Sequence, residues 1–563
     1  MDPAAFLKLI PGKRATYAYL AKNRREGEKV HTDLLVRFGA VTEAQIAALR
    51  RWLATDPLLP PNPQDALTDL SHLVIRNSWE YGREALGHIL WWRLDLHRIV
   101  LESLNRSPHK ARDERLVEIM VLNRVAEPMS KWGLLTDWLE DSAAPFLVGL
   151  RPHTLYDNHF YRAMDHLWAR QDTLEAKVWR EVVRPLTAHP EIFFHDNTST
   201  WFEGTHADLA GWSGYAPDGR TDRPRVKWGV VATAEGLPIT VAVFPGNTKD
   251  DQTPKAMRER LTRVFGIQGG VYIGDRGMKN DKEATPDLEA HQFRSILAVR
   301  NDEHEDVLIA AQKAPIVAVS LKNEVREVLL ERGRFVVLFN QERRKEMLET
   351  PERRLAEGRA IIAEQRRRVG KADHHAILKA CQEALTKAHL TNLFDIDWDE
   401  GTVATLLARM KETVAFRKKW AGWWVLRTNT EFPAEEVARQ YLQLARTEEL
   451  HAVVKGSLSV RPLYHRLEER VGAHLLSCHL AALLVKYVER RVKEAGLKDA
   501  EGEPLTGVSA FQAFRKVRAS EAEFPGTGQT RIVMTELQSL HEAILSAVGV
   551  DPERFRAGWT RLL

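Results

Sequence analysis

The stretch EIFFHDNTSTWF, Glu191 to Phe202, decides how this chain is read. It opens with aromatic and β-branched residues, the composition of a strand that packs into a core, yet it carries Asp196 in its middle. A carboxylate buried without a partner is costly unless something such as a cation neutralises it. Two further acidic residues stand in comparable settings. Asp275 closes the strand-like run GGVYIGDRGM, residues 269–278, and Glu448 falls in YLQLARTEELHAVVK, residues 441–455, whose spacing predicts a long helix. With 77 acidic residues in the chain, some triple always fits a loose template, so the setting of these three counts for more than their spacing.

Outward from Asp196, Arg225 to Ala232 and Pro238 to Phe244 predict two more strands, joined by a turn over Thr233 to Leu237. Pro254 to Phe265 has helical spacing, Gly270 to Gly274 reads as a strand, Asp281 to His291 as a helix, and Phe293 to Val299 as a strand. The order βββαβαβ predicts an α/β fold class with an RNase H-like catalytic core, three antiparallel strands followed by parallel strands joined through helices. In such a core the first and fourth strands are neighbours, so Asp196 and Asp275 come to one spot at the sheet edge. The third carboxylate, Glu448, comes from a helix packed on the sheet. Oxygen ligands so placed hold two divalent cations about 4 Å apart, the arrangement that serves in-line attack on a phosphodiester.

The remaining chain is read around this core. Residues 1–188 are expected to form an α-helical N-terminal region for DNA binding or dimerisation, with a plain scaffold role equally open. There TEAQIAALRRWLA carries a capping box, Thr42 with Gln45. Residues 189–300 form the first part of the core. Residues 301–433 are expected to be a mixed β/α insertion domain, with strands at Pro315 to Leu321, Phe335 to Asn340 and Trp423 to Arg427 around a charged helical stretch from Gln341 to about His389. Residues 434–495 complete the core with the Glu448 helix, and 496–563 make a short, helical C-terminal tail.

At 563 residues the chain is too long for one core. Two cysteines, Cys381 and Cys478, exclude a disulfide framework and a Cys-rich zinc site. The longest apolar stretch, Leu475 to Val488, is interrupted by His479 and is shorter than a bilayer requires, so no membrane partner is expected and the location is read as cytoplasmic. The net charge is only +4, so basic character is local. Lys13, Arg14, Lys22, Arg24, Arg25 and Lys29 suit phosphate contact, whereas Arg343, Arg344, Arg353, Arg354 and Arg366 to Arg368 are mixed with Glu and read as a solvated face. Neither a phosphate-binding P-loop nor a Gly-x-Ser-x-Gly motif is present, which leaves an ATPase or serine hydrolase without support. Asp250 reads as a cap of the following helix, and Trp398, Trp420, Trp423 and Trp424 read first as core. Tyr441, Glu448 and Lys455 are seven residues apart and share a helix face. That stripe is ordinary amphipathicity by itself; beside a metal site its phenol and ammonium would hold phosphates.

The chain resembles a DDE transposase of a bacterial insertion sequence, in the superfamily whose last catalytic helix reads Tyr-x2-Arg-x3-Glu-x6-Lys. Tyr441, Glu448 and Lys455 fit those spacings, and Leu444 stands at the Arg position, as in the long branch with an insertion domain before the catalytic Glu. HDNTSTWFEG (195–204), GYAPDGRTDRPRVKWGVV (214–231), FPGNTKD (244–250), DRGM (275–278) and SVRPLYHRLEERVGAHLL (459–476) support that branch. YAYLAKNRREGEKV (17–30) and LNRVAEPMSKWGLL (122–135) are similar more loosely. The resemblance implies Asp196, Asp275 and Glu448 as catalytic, metal-binding residues for two Mg²⁺ ions, with Mn²⁺ as a substitute. It implies DNA contacts from Tyr441, Lys455, Arg276 and Arg461, and a supporting place for Thr198. It also implies a reaction in which the element's ends are cleaved and the freed 3′-hydroxyls are joined to target DNA. The partners implied are double-stranded DNA, as terminal inverted repeats and target, and a second copy of the chain in a dimeric end complex. A bacterial, nucleoid-associated setting goes with these. Where relatives have Phe and Arg this chain has His451 and Ala452, so Arg446 or Arg461 would have to supply a phosphate-binding cation. A catalytically decayed DNA-binding derivative and a general metal-dependent DNA nuclease are the alternative readings.

Overall fold

A computed structural model describes residues 5–12, 15–26, 29–43, 45–46, 49–50, 74–104, 113–212, 222–278, 284–369, 371, 373–399, 405–524 and 529–557. Lys13, Arg14, residues 214–221 of the GYAPDGR motif, Asp281 to Glu283 and residues 51–54 of the first expected helix lie outside that set. Two compact units result: Met1–Leu86 with Thr136–Pro152 and Ala513–Leu563, and Gly87–Leu135 with His153–Gln512.

The first unit corrects the expectation of an all-helical N-terminal region. β1 (Ala5–Pro11), β2 (Thr16–Glu26) and β3 (Lys29–Val41) form an antiparallel meander. Ala18 and Leu20 of β2 are buried beside Phe38, Val41, Ile46 and Leu49, while Tyr17 and Tyr19 alternate to the other face. That period of two is the strand signal, but it runs on into Lys22, Arg24 and Arg25, which read in sequence as a charge cluster rather than as strand. The capping box holds, with Thr42 N donating to Gln45 Oε1 at 2.8 Å and Gln45 N to Thr42 Oγ1 at 3.3 Å. β4 (Val74–Glu80) is a further strand of this unit.

The second unit is built on a nine-stranded sheet. Its strands are β5 (Ile192–Trp201), β6 (Arg225–Ala232), β7 (Pro238–Pro245), β8 (Gly270–Gly274), β9 (Phe293–Val299), β10 (Ile316–Ser320), β11 (Asn323–Leu330), β12 (Gly333–Phe339) and β15 (Trp423–Thr428); β13 (Phe394–Asp399) and β14 (Thr405–Met410) pair only with each other. The spatial order is β10-β11-β12-β15-β9-β8-β5-β6-β7. β5, β6 and β7 are antiparallel, and β5–β8 and β8–β9 are parallel. The β6–β7 turn closes through Thr233, whose hydroxyl accepts from Glu235 N at 3.2 Å, with Gly236 at φ 77°. The helix Thr253–Phe265 leads to β8. Pro254 stands in its first turn, Met257 and Leu261 are buried, and Gly266 ends it in the left-handed conformation.

The segment 301–433 was expected to stand apart, and most of it does not. β10, β11, β12 and β15 continue the same sheet beyond β9, with Val299 paired to Val425 and Val425 to Val337. One apolar layer therefore runs from Ile192, Phe194 and Ile273 through Ile296 to Val336 and Leu426. Only the helices Gln341–Arg366 and His374–Lys387, with β13 and β14, bury a cluster of their own around Ile362, Ile377 and Leu385. β11 and β13 escape the sequence reading because charged residues interrupt their apolar runs.

Glu468–Glu494 is 27 residues long and apolar enough to cross a membrane, so the sequence estimate of its length falls short. Its whole apolar window is buried within the protein. It packs against β7 and the helices Asp113–Ala126 and Asp157–Ala169, which identifies it as a core helix. Back in the first unit, β16 (Arg518–Phe524) pairs with β4 and with β17 (Gln529–Met534), which adds strands to the tail expected to be helical; Ser539–Ala547 is a helix as expected.

Candidate active site

The site begins with strand register. β5 and β8 run parallel with His195 opposite Gly274, so Asp196 and Asp275 follow a matched pair on adjacent strands, which sets their backbones about 5 Å apart. Alternation sends Ile192, Phe194 and Asp196 to one face. The helix Ala445–Lys455, which carries Glu448, packs on β5. Asp196 is half-buried; Asp275 and Glu448 are exposed. Partial burial, then the charges of Asp196 and Asp275, push the Glu448 carboxyl above the usual range. The charges of Asp196 and Asp275 therefore both reach Glu448.

Tyr441 and Glu448 do not share one helix, contrary to the sequence expectation. The chain forms Ala434–Leu442 and then Ala445–Lys455, and bonds of the tighter i to i−3 type run from Gln443 to Gln440, Leu444 to Tyr441, Arg446 to Gln443 and Thr447 to Leu444. Leu444 turns into the core at this junction, and Arg446 donates to the Ala234 carbonyl at 2.5 Å. Even so, the Tyr441 hydroxyl donates to Asp275 Oδ1 at 3.4 Å, and burial followed by the Asp275 charge raises its pKa. The bond to Ala234 ties one end of the Arg446 guanidinium to the β6–β7 turn. Lys455, half-buried, ends the helix two turns beyond Glu448, roughly 10 Å along the axis. Arg276, exposed, borders a cleft of about 230 Å³ with Asp251, Gly277, Arg300 and Glu303. Arg461 stacks 4.6 Å over the Trp201 ring at the far end of β5.

Two residues at the site escaped the sequence reading. His451 Nδ1 lies 3.1 Å from Asp196 Oδ2, and its ring is buried edge-on to Trp228 at 5.0 Å. In sequence His451 stands out only as a departure from the related pattern; its position one helical turn after Glu448 is the available signal. Arg343, assigned to a solvated face, is close enough that its charge lowers the Glu448 pKa, against the dominant effect of burial. Its placement follows from the N-terminus of Gln341–Arg366, where the Asn340 side chain accepts from Arg343 N at 2.9 Å.

Behind Asp196, on the opposite face, a hydrogen-bonded layer fixes the strand. Tyr272 OH bonds His195 Nδ1, and His195 Nε2 lies 3.0 Å from Asn197 Oδ1. Asn197 Nδ2 donates to Thr253 Oγ1 at 2.7 Å and to Asp250 Oδ1 at 3.3 Å, and Lys227 Nζ donates to the same Asp250 oxygen at 2.8 Å. Asp250 thus pairs with Lys227 rather than capping a helix as expected. Burial lowers the His195 pKa to about 4, so the ring is neutral. Trp420 is buried and donates to Glu305 at 3.0 Å, and Trp423 and Trp424 pack at the edges of apolar clusters, in keeping with core roles; the Trp398 side chain lies outside the described residues.

The donor chemistry suits a hard divalent cation, because a carboxyl whose pKa is raised by burial and by two neighbouring carboxylates is relieved by positive charge. Among the described residues, no three His, Cys, Asp or Glu side chains are already drawn together as ligands. No curated protein sequence matches the chain. The family model for the transposase DDE domain matches residues 187–484, which span β5 to β15, the Glu448 helix and most of the core helix. That match takes in more than half of the chain, and this protein belongs to the DDE transposase family.

Proposed function

We propose that this protein is the transposase of an insertion sequence, cutting the element's ends and joining the freed 3′-hydroxyls to target DNA by two-metal phosphoryl transfer. The reading rests on one observation, the parallel register that pairs His195 with Gly274 and so brings Asp196 beside Asp275. The order β7-β6-β5-β8-β9, antiparallel then parallel, supports an RNase H-like core. Asp196, Asp275 and Glu448 are the catalytic residues and would hold Mg²⁺, with Mn²⁺ as a substitute. When bound, those ions supply Lewis acidity and charge neutralisation for in-line displacement at phosphorus.

The chain's own side chains do the positioning. His451 holds one oxygen of Asp196, and Tyr441 holds one oxygen of Asp275. Lys455, Arg276 and Arg461 are cationic contacts for the phosphates of double-stranded DNA, both terminal repeats and target. Arg343 adds a positive charge near Glu448. A dimer would pair two ends before cutting.

The test is incubation of purified protein with DNA carrying the sequences that flank its gene, Mg²⁺ and a supercoiled target plasmid. Cleavage at discrete ends with joined products is expected. Asp196→Ala, Asp275→Ala and Glu448→Ala should each lower cleavage by roughly three orders of magnitude or more while retaining DNA binding in a gel-shift assay. Near wild-type cleavage by any of them removes that residue from the triad. Specific binding without cleavage by the wild type would make this a decayed derivative, and unselective nicking a general nuclease.

A further inference from the structure

A second concave site lies away from the carboxylates, within the same unit. It is a cavity of about 440 Å³ where LNRVAEPMSKWGLL meets SVRPLYHRLEERVGAHLL, two motifs otherwise unexplained. The loop 459–465 reaches it by running beside the end of β5: Leu463 N donates to the Trp201 carbonyl and Glu203 N to the Leu463 carbonyl, both at 2.9 Å.

Two buried cations there lack a counter-charge. Arg124 and Lys131 line the cavity with Arg461, His465 and His474; burial holds both histidines well below their usual pKa, and no carboxylate is among the described lining residues. Arg124 is 3% exposed and Lys131 is 6% exposed. Arg124 donates to neutral acceptors, the Leu458, Ser459 and Met129 carbonyls and the Asn123 side chain, and its buried Nε has no partner. Among the described residues, the groups that act on Lys131 are Arg124 and Cys478, and no carboxylate is among them. Two buried cations without a counter-charge cost more than either contributes by packing. Burial, then the Arg124 charge, holds the Lys131 ammonium down to about 7. At the rim stand two exposed rings, Trp132 at 70% and Tyr464 at 57%.

We infer that this cavity is a phosphate-binding site, taking an oxyanion of a nucleic-acid strand or of a free phosphate against Lys131, Arg124 and Arg461. A tetrahedral anion supplies the missing charge, and the guanidinium and ammonium donors match its oxygens. Trp201, over which Arg461 stacks, lies five residues beyond Asp196 on β5, on the order of 16 Å away, or about five base-pair steps. A strand held at the carboxylates would therefore meet the cavity a short way along. Stacking of an unpaired base on Trp132 or Tyr464 fits the same occupant. The strand-borne source rests on the transposase reading; the affinity for phosphate does not.

The full chain, without divalent cation, is titrated with inorganic phosphate against chloride at matched ionic strength, by calorimetry and melting temperature. Saturable phosphate binding is expected. Lys131→Met and Arg461→Gln should each weaken it at least about tenfold, and Lys131→Met should melt no lower than the wild type. If Lys131→Met does not fold, Arg461→Gln decides. No saturable binding by the wild type, or wild-type affinity in the folded variants, overturns the inference. A single-stranded oligonucleotide that competes with phosphate, and binds less well to Trp132→Ala, identifies a strand as the source; phosphate binding without competition identifies a free phosphate. Asp275→Asn should bind phosphate as the wild type does, so failure of the cleavage assay and failure of this one remain separate results.

Discussion

At the scale of single residues, Asp196, the carboxylate proposed as catalytic, is held from both sides of its strand. Asp196 faces His451 and the Glu448 helix, while its neighbours His195 and Asn197 face away into the Tyr272, Thr253 and Asp250 network. That network needs a glycine at position 229, opposite Asn197, where a Cβ would come within 2.7 Å of Asn197 Oδ1 and 2.9 Å of His195 Nε2. Gly229→Ala should therefore lower cleavage on the order of tenfold to a hundredfold through misplacement of Asp196; gel-shift affinity should stay unchanged. In the first unit Glu84 is fully buried, with Ser142 at 3.4 Å, and burial raises its pKa to about 7. A raised folded-state pKa means that stability is fully present below the unfolded value and is lost as pH climbs from there through about 7. Glu84→Gln should remove that loss, so the variant gains on the order of 3 kcal/mol over the wild type above pH 8 relative to acid. Denaturant melts across that range check it.

Among the elements, the helix Glu468–Glu494 is the clearest case of composition overridden by context. Its apolar content admits a membrane span, and complete burial against protein excludes that use of it here. Gly472 explains how closely it packs: a Cβ there would lie 2.4 Å from the Trp168 ring of the neighbouring helix. Gly472→Ala should destabilise the protein by roughly 1–3 kcal/mol, the usual range for overpacking, read as a lower melting temperature. The Ala434–Leu442 and Ala445–Lys455 pair makes the opposite point. A seven-residue repeat looked like one continuous stripe, but the burial of Leu444 and the Arg446 bond to Ala234 tighten the chain between them. Tyr441 reaches Asp275 by that turn rather than by helical phase alone.

Across the whole molecule, sequence determined what depends on short-range pattern. The order βββαβαβ, the strand carrying Asp196, the end of the strand before Asp275, the helical setting of Glu448 and the Thr42 capping box were all legible, because alternation, helical spacing and turn chemistry act over a few residues. Tertiary structure decided what depends on partners far along the chain. It joined β10, β11, β12 and β15 to the core sheet instead of leaving residues 301–433 as a separate body, since a strand's hydrogen-bonding edge carries no mark of which edge will pair with it. It turned β1 to β3 into a sheet whose alternation was overlaid by lysine and arginine. It brought Arg343, His451 and the Lys131 cavity to places that no local spacing records. Charge and packing between distant segments are properties of the fold, so those residues acquire a role only once the sheet has formed and the helices have settled on it.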